Sequence, residues 1–328
     1  MIRAAFCRMV TLSCVMAAST RTFADITAEP SERGVLVKIE GQPFTEYLKL
    51  SGHMPALWPV IGPTGKPMTR SFPAGPRVPG ETTDHPHHHS IWFTHGAVNG
   101  FDFWTHERNR PDARIVHRDF VSIASGKEAK IVSRNDWVAD GKKICEDERT
   151  ITFGALENGD RWIDYEVKLT ASEGEVVLGD TKEGTFGVRV ADSLRVDAKL
   201  GGKLVNSRVQ VDAAGWGYPA EWLDNSGPVD GETVGITMMS HPTSFRPIPR
   251  WHARTYGMLT ANPFGEREFL SEARRQRGPD EPQQGAHTLA KGESLIFHYR
   301  VLLHRGDAEK AGVAAVFKAF AGGESAAR

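Results

Sequence analysis

The chain is short of cysteine, of long apolar runs and of any excess of charge. Only three of its 328 residues are cysteine, and Cys7 and Cys14 lie in the N-terminal leader. Cys145 then stands alone, so an internal disulfide and a four-cysteine zinc site are both excluded for the mature chain. Outside the leader no stretch approaches the ~18 uninterrupted apolar residues of a spanning helix, which predicts a soluble protein. Forty basic residues face 41 acidic ones, a net charge of −1, with no basic run. That balance argues against nucleic acid as a partner. The sequence also lacks GxSxG, HExxH and GxGxxG, so none of those motifs assigns a chemistry.

The leader itself has a recognisable order. Arg3 and Arg8 precede the apolar run Met9 to Ala18, and Thr22-Phe23-Ala24 offers small residues ahead of Asp25. This is the pattern of a signal peptide over residues 1–24 and predicts a periplasmic or secreted protein. Its removal takes Arg3, Arg8 and Arg21 but no acid, leaving 37 of the 40 basic residues against 41 acidic ones and a net charge of −4.

Beyond the leader the chain reads as strand after strand. Val35 to Glu40, Arg114 to Ala124, Lys130 to Val138, Arg161 to Thr170 and Ser294 to His304 are rich in β-branched and aromatic residues. In the fourth, Trp162, Asp164, Glu166 and Lys168 alternate with Ile163, Tyr165, Val167 and Leu169, the mark of an antiparallel strand. Glycine-bearing turns such as Asp140-Gly141 and Asn158-Gly159 punctuate the runs. The expected fold is all-β, a sandwich or a barrel, taken as a single domain over residues 25–328. Helix is expected only at the end, with Asp307 capping Ala308 to Phe320. Pro55 to Gly80 and Gly278 to Gly285 are expected to be long loops.

Chemistry concentrates in two places. Six of the thirteen histidines fall between His85 and His106: His85, His87, His88, His89, His95 and His106. Asp84, Asn99, Asp102, Trp92 and Trp104 are interleaved with them. Imidazole titrates near neutrality and also ligates metals, so this window is the first candidate site. Read as extended chain, His85, His87 and His89 share one face and His88 takes the other. Three readings compete: metal ligation, general acid–base work poised by Asp84 or Asp102, and a polar surface loop. The spacing matches no defined metal signature, so a divalent metal stays open as a cofactor.

The second concentration is His241-Pro242 and Arg250-Trp251-His252-Ala253-Arg254-Thr255-Tyr256. As a strand it would place His252, Arg254 and Tyr256 on one face, suited to a polyol or a carboxylate. The alternative is the wet face of an ordinary sheet. Glu183, Arg189, Glu221 and Asp224 are further candidates for a carboxylate or clamp, and Trp216 and Trp222 for stacking on a sugar.

Asp84-His85-Pro86-His87-His88, His95-Gly96, Asp102-Phe103-Trp104, His241-Pro242, Trp251-His252, Arg254, Tyr256-Gly257 and Asn262-Pro263-Phe264-Gly265 together resemble the PmoA-like family of bacterial proteins, over roughly Gly34 to Arg305. His89-Ser90 and Ser240 depart from that pattern, which has an arginine and glycine, and an acid, at those places. The resemblance implies a large β-sandwich of the galactose-mutarotase type, in which histidines and a carboxylate work in an open cleft. Methane oxidation is not carried over, because the membrane subunit of that name is built of spanning helices.

These readings lead to an exported carbohydrate-active enzyme, a hydrolase, lyase or epimerase. His85, His87, His88 and His252 are its expected catalytic groups, and the expected substrate is a small molecule or oligosaccharide. His95, Asn99, Asp102, Trp104, Arg189, His241, Arg254 and Tyr256 are the expected substrate-binding residues. The rivals are a noncatalytic carbohydrate-binding protein and a metal-dependent oxidoreductase.

Overall fold

Alternation of apolar and polar side chains dictates the architecture. In Ala129–Ala139 every second residue, from Ala129 through Ile131 to Trp137, is buried, and in Arg161–Thr170 Ile163, Tyr165, Val167 and Leu169 point inward. Strands with one apolar face must cover it, and two sheets face to face are the economical solution. The computed structural model describes residues 25–105, 112–270 and 285–323. The leader at 1–24, His106 and most of the predicted 278–285 loop lie outside the described residues.

The first sheet has eight antiparallel strands. From edge to edge they are Ile26–Pro30 (β1), Gly34–Ile39 (β2), Gln42–Ser51 (β3), Met54–Val60 (β4), Ile91–His95 (β5), Gly184–Arg189 (β11), Met258–Asn262 (β16) and Arg250–Trp251 (β15). The second, also of eight, runs Lys203–Asn206 (β12), Trp222–Val229 (β13), Glu232–Ser240 (β14), Ser294–Arg305 (β18), Arg161–Thr170 (β9), Lys142–Ala155 (β8), Ala129–Ala139 (β7) and Ala113–Ala124 (β6). Val176–Leu178 (β10) and His287–Leu289 (β17) pair separately. The all-β sandwich read from the sequence is the fold observed.

Rings from both sheets meet in the core between them. Phe186 of β11 stacks on Tyr299 of β18 at 4.9 Å, and Phe93 of β5 packs on Phe297 of β18 at 5.3 Å. A buried polar knot lies in the same layer. Arg149 donates to both carboxylate oxygens of Asp147 at 2.9 Å, and Asp147 also accepts from Asn135 and the Trp137 indole. Both charged side chains are fully buried, so the pair persists only because its donors and acceptors are matched. Cys145 is buried nearby, and burial pushes its thiol pKa up, out of the reactive range.

Three local expectations need correction. The helix spans Val313–Ala321 rather than starting at Ala308. Gly312 takes a left-handed φ of 62° just before it, and Asp307 instead caps a turn by accepting from the Lys310 N–H at 2.9 Å. This helix covers the outer face of the second sheet, placing Val313 and Phe320 against Trp162, Met239 and Leu302. The predicted loop from Pro55 begins as strand β4, and the chain becomes irregular only after Val60. Trp251 to Tyr256 is not a strand. Regular strand ends at Trp251 and only an isolated bridge of Arg254 with Met258 follows, where the Gly257 N–H closes a turn on the Arg254 carbonyl at 2.9 Å, with Gly257 at a φ of +93°.

Candidate functional site

The outer face of the first sheet carries the histidine window. Trp92 of β5 lies opposite Gly187 of β11, and a side chain on Gly187 would put its Cβ 2.7 Å from the Trp92 ring. Glycine there lets the indole lie flat as a floor. His88 stacks on Trp92 at 5.4 Å, His85 on His88 at 4.9 Å, and Tyr256 on His85 at 4.7 Å, all within 18° of parallel. His87 and Trp104 meet His88 edge-on, at 4.5 and 6.1 Å.

The window is a turn, not extended chain. The His88 N–H donates to the His85 carbonyl at 3.1 Å, with Pro86 at the second position, where its fixed φ suits a turn. His85 itself takes a φ of 47° and Ser90 one of 60°. The expected alternation is therefore replaced: the rings of His85, His87 and His88 pack together, while His89 turns away to bond Ser51 Oγ at 2.8 Å.

Charge fixes that turn. Arg70, on the segment after β4, donates to Asp84 Oδ1 at 2.6 Å and to the His85 carbonyl at 3.1 Å. Arg189, at the end of β11, donates to the same Oδ1 at 2.8 Å and approaches His88 Nδ1 at 3.4 Å. Asp84 Oδ2 lies 2.5 Å from His85 Nδ1. Partial burial alone would raise the Asp84 pKa, but His85, Arg189 and Arg70 outweigh it and hold the carboxyl well below the usual carboxylate range. Asp84 is thus ionised at neutral pH and can only accept, so His85 Nδ1 donates to it. Burial, with Arg189 next in effect, lowers Arg70 to about 10.

The second cluster arrives on the turn after β15. Tyr256 folds back over His85, with the Arg189 guanidinium 4.9 Å from its ring. Arg254 sits between the Tyr256 and Trp216 rings, 5.8 Å from each centroid. His252 Nδ1 donates to the Lys182 carbonyl at 3.0 Å, and its buried Nε2 has no hydrogen-bond partner. The two histidine-bearing segments, far apart in sequence, therefore share one site.

His87, His88 and His252 are held neutral. Desolvation is the first cause in each case: it lowers His87 to about 4 and His252 to about 3, and His88 well below its ordinary value. Glu183 moves the other way, raised chiefly by burial although Lys182, 3.2 Å away, opposes the shift.

A family model described as a family of unknown function (DUF6807) matches residues 34–318. The chain belongs to that family. Its description carries no activity and makes no mention of PmoA. No curated protein matches the chain.

Of the residues singled out from the sequence, His85, His87, His88, Trp104, Arg189, Arg254 and Tyr256 lie together, and His252 adjoins them. His88 and His252 are only 1% and 2% exposed, so neither presents its ring to solvent. Asp102 caps the turn at Phe103 to Thr105, accepting from the Trp104 and Thr105 N–H groups, while its charge reaches His87 and Glu183. His95 is buried against Phe264, with Nε2 donating to the Gly179 carbonyl at 2.9 Å. Asn99 binds backbone instead, joining the Glu175 carbonyl and the Val177 N–H. His241 belongs to the other sheet, stacked on His298 at 4.5 Å and bonded to the Phe320 carbonyl. Glu221 pairs with Arg208, and Asp224 is buried against His304 and Thr237, so neither joins the site. Arg70 is the functional residue that sequence reasoning misses; a lone arginine in a proline- and glycine-rich stretch gives no signal until folding brings it to Asp84. Among the described residues no group of three or more His, Cys, Asp or Glu side chains could hold a metal ion.

Proposed function

We propose that the chain is an exported carbohydrate-active enzyme in which His85, aligned by Asp84, is the general base. One observation carries this reading. The Asp84–His85 pair, the partly exposed Tyr256 and the Arg254 guanidinium come from distant segments and face one another on a single sheet face. An aspartate on Nδ1 fixes the tautomer and stabilises the imidazolium formed when Nε2 takes a proton. Glu183, with its raised pKa, supplies the complementary acid. Hydrolysis, elimination and epimerisation all need such a base and acid, and all three fall within the proposal. Export rests on the leader pattern of residues 1–24, and among the described residues no helix is long and apolar enough to cross a membrane.

The test is turnover on a panel of oligosaccharides and modified glycosides, comparing the wild type with His85→Ala. A loss of roughly 10²–10⁴-fold in kcat with the fold intact is expected for removal of a general base. Turnover that survives the substitution, or a panel that yields neither turnover nor binding, overturns the reading. Burial of His88 and His252 favours one alternative, a noncatalytic carbohydrate-binding protein, because it withdraws two of the four imidazoles from direct contact with a ligand. Saturable binding without turnover would mark that outcome. The resemblance to the PmoA-like family stays a proposal that rests on the same motifs.

A further inference from the structure

We propose, resting on the carbohydrate reading above, that the sugar bound here bears a carboxylate and that Arg254 is the residue that selects it. The other cations of the site have partners. Arg70 and Arg189 share Asp84, and Lys182 lies 3.2 Å from Glu183 and 3.6 Å from Glu268. Arg254 forms no ion pair with any described residue; two aromatic rings hold its guanidinium, and its buried Nε has no hydrogen-bond partner. The guanidinium also donates a hydrogen bond to the Tyr256 phenol, and its remaining N–H groups form the fork of donors that a carboxylate accepts.

The local charge balance points the same way. Two fully buried guanidinium groups converge on one oxygen of Asp84, and Asp192, whose charge also reaches both, is engaged by Arg195 at 3.6 Å. Glu183, whose charge acts on Arg254, is engaged by Lys182 and biased by burial toward its neutral form. A neutral sugar would leave Arg254 without an anion of its own; a uronic acid residue would supply one.

The experiment is calorimetric titration of the mature protein with glucuronate- and galacturonate-containing oligosaccharides and with their methyl esters, which keep the skeleton and remove the charge. The acid is expected to bind roughly tenfold or more tightly than its ester, as a charge-assisted pair implies. Arg254→Gln should abolish that ratio, whereas Lys318→Gln, the same charge change on the exposed C-terminal helix, should retain it. Thermal unfolding of both variants checks the fold, and Arg254→Lys, which keeps the charge, should restore part of the ratio. Equal binding of acid and ester, or a preference that survives Arg254→Gln, overturns the inference while leaving the carbohydrate reading in place. Failure of every sugar, charged or neutral, to bind overturns both.

Discussion

Lowering the pH from 7 to 5 should destabilise this protein well before its carboxylates titrate. His89, His95 and His252 are 3%, 1% and 2% exposed, and burial, the first cause for each, lowers their pKa values to about 3, 4 and 3. In the unfolded chain each would titrate near 6.5. Above that value both states are neutral at these rings and stability does not depend on them. Below it the unfolded chain binds protons that the folded protein refuses, so stability falls as pH drops until the folded pKa values are reached. At pH 5, about 1.5 units below the unfolded pKa and at about 1.4 kcal/mol per unit, each ring costs about 2 kcal/mol. The three together cost roughly 5–6 kcal/mol between pH 7 and 5, against a typical total stability of about 5–15 kcal/mol. His304 has the opposite shift, with burial opposing but Asp224 prevailing to raise its pKa. Its contribution is complete below 6.5 and is lost as pH rises through its folded pKa, so it does not mask the fall. Urea titrations followed by tryptophan fluorescence at pH 5, 6, 7 and 8 measure the slope directly. His252→Gln should remove about one proton from that slope whatever its effect on the absolute stability. A change of less than about 1 kcal/mol between pH 7 and 5 would refute the claim that these rings are buried and neutral.

Other consequences concern single positions. Asp84→Asn leaves Arg70 and Arg189, both fully buried, without their anion; discounted for the partial exposure of Asp84, the loss should be about 1–3 kcal/mol by urea midpoint. Asp147→Ala strands the Arg149 charge in the core and should cost about 3–5 kcal/mol, the largest loss of any substitution considered. Gly187→Ala would drive a methyl to 2.7 Å from the Trp92 ring, costing about 1–3 kcal/mol and altering the near-ultraviolet dichroism of the tryptophan floor. His241→Ala, on the opposite sheet, should leave sugar binding unchanged, and any loss of affinity would show that the site reaches beyond the first sheet.

The sequence by itself determined an all-β fold, because period-two alternation in long runs such as Arg161–Thr170 puts the apolar side chains of each strand on one face. It also marked both segments of the site, since clustered imidazoles, guanidinium groups and tryptophans make a poor core. Local conformation was less legible. Pro86 fits an extended chain and a turn equally well, and the turn prevails because Arg70 captures both Asp84 and the His85 carbonyl from the segment after β4. Likewise Trp251 to Tyr256 alternates like a strand, yet Gly257 ends the pairing and sends Tyr256 back over His85. Tertiary structure alone decided which histidines share a site and which of them water can reach. It sent His241 to the other sheet, tied Asn99 to backbone and buried His88 and His252. Residue type records what a side chain can do, whereas contacts between distant segments set its partners and its dielectric surroundings, and those fix its charge.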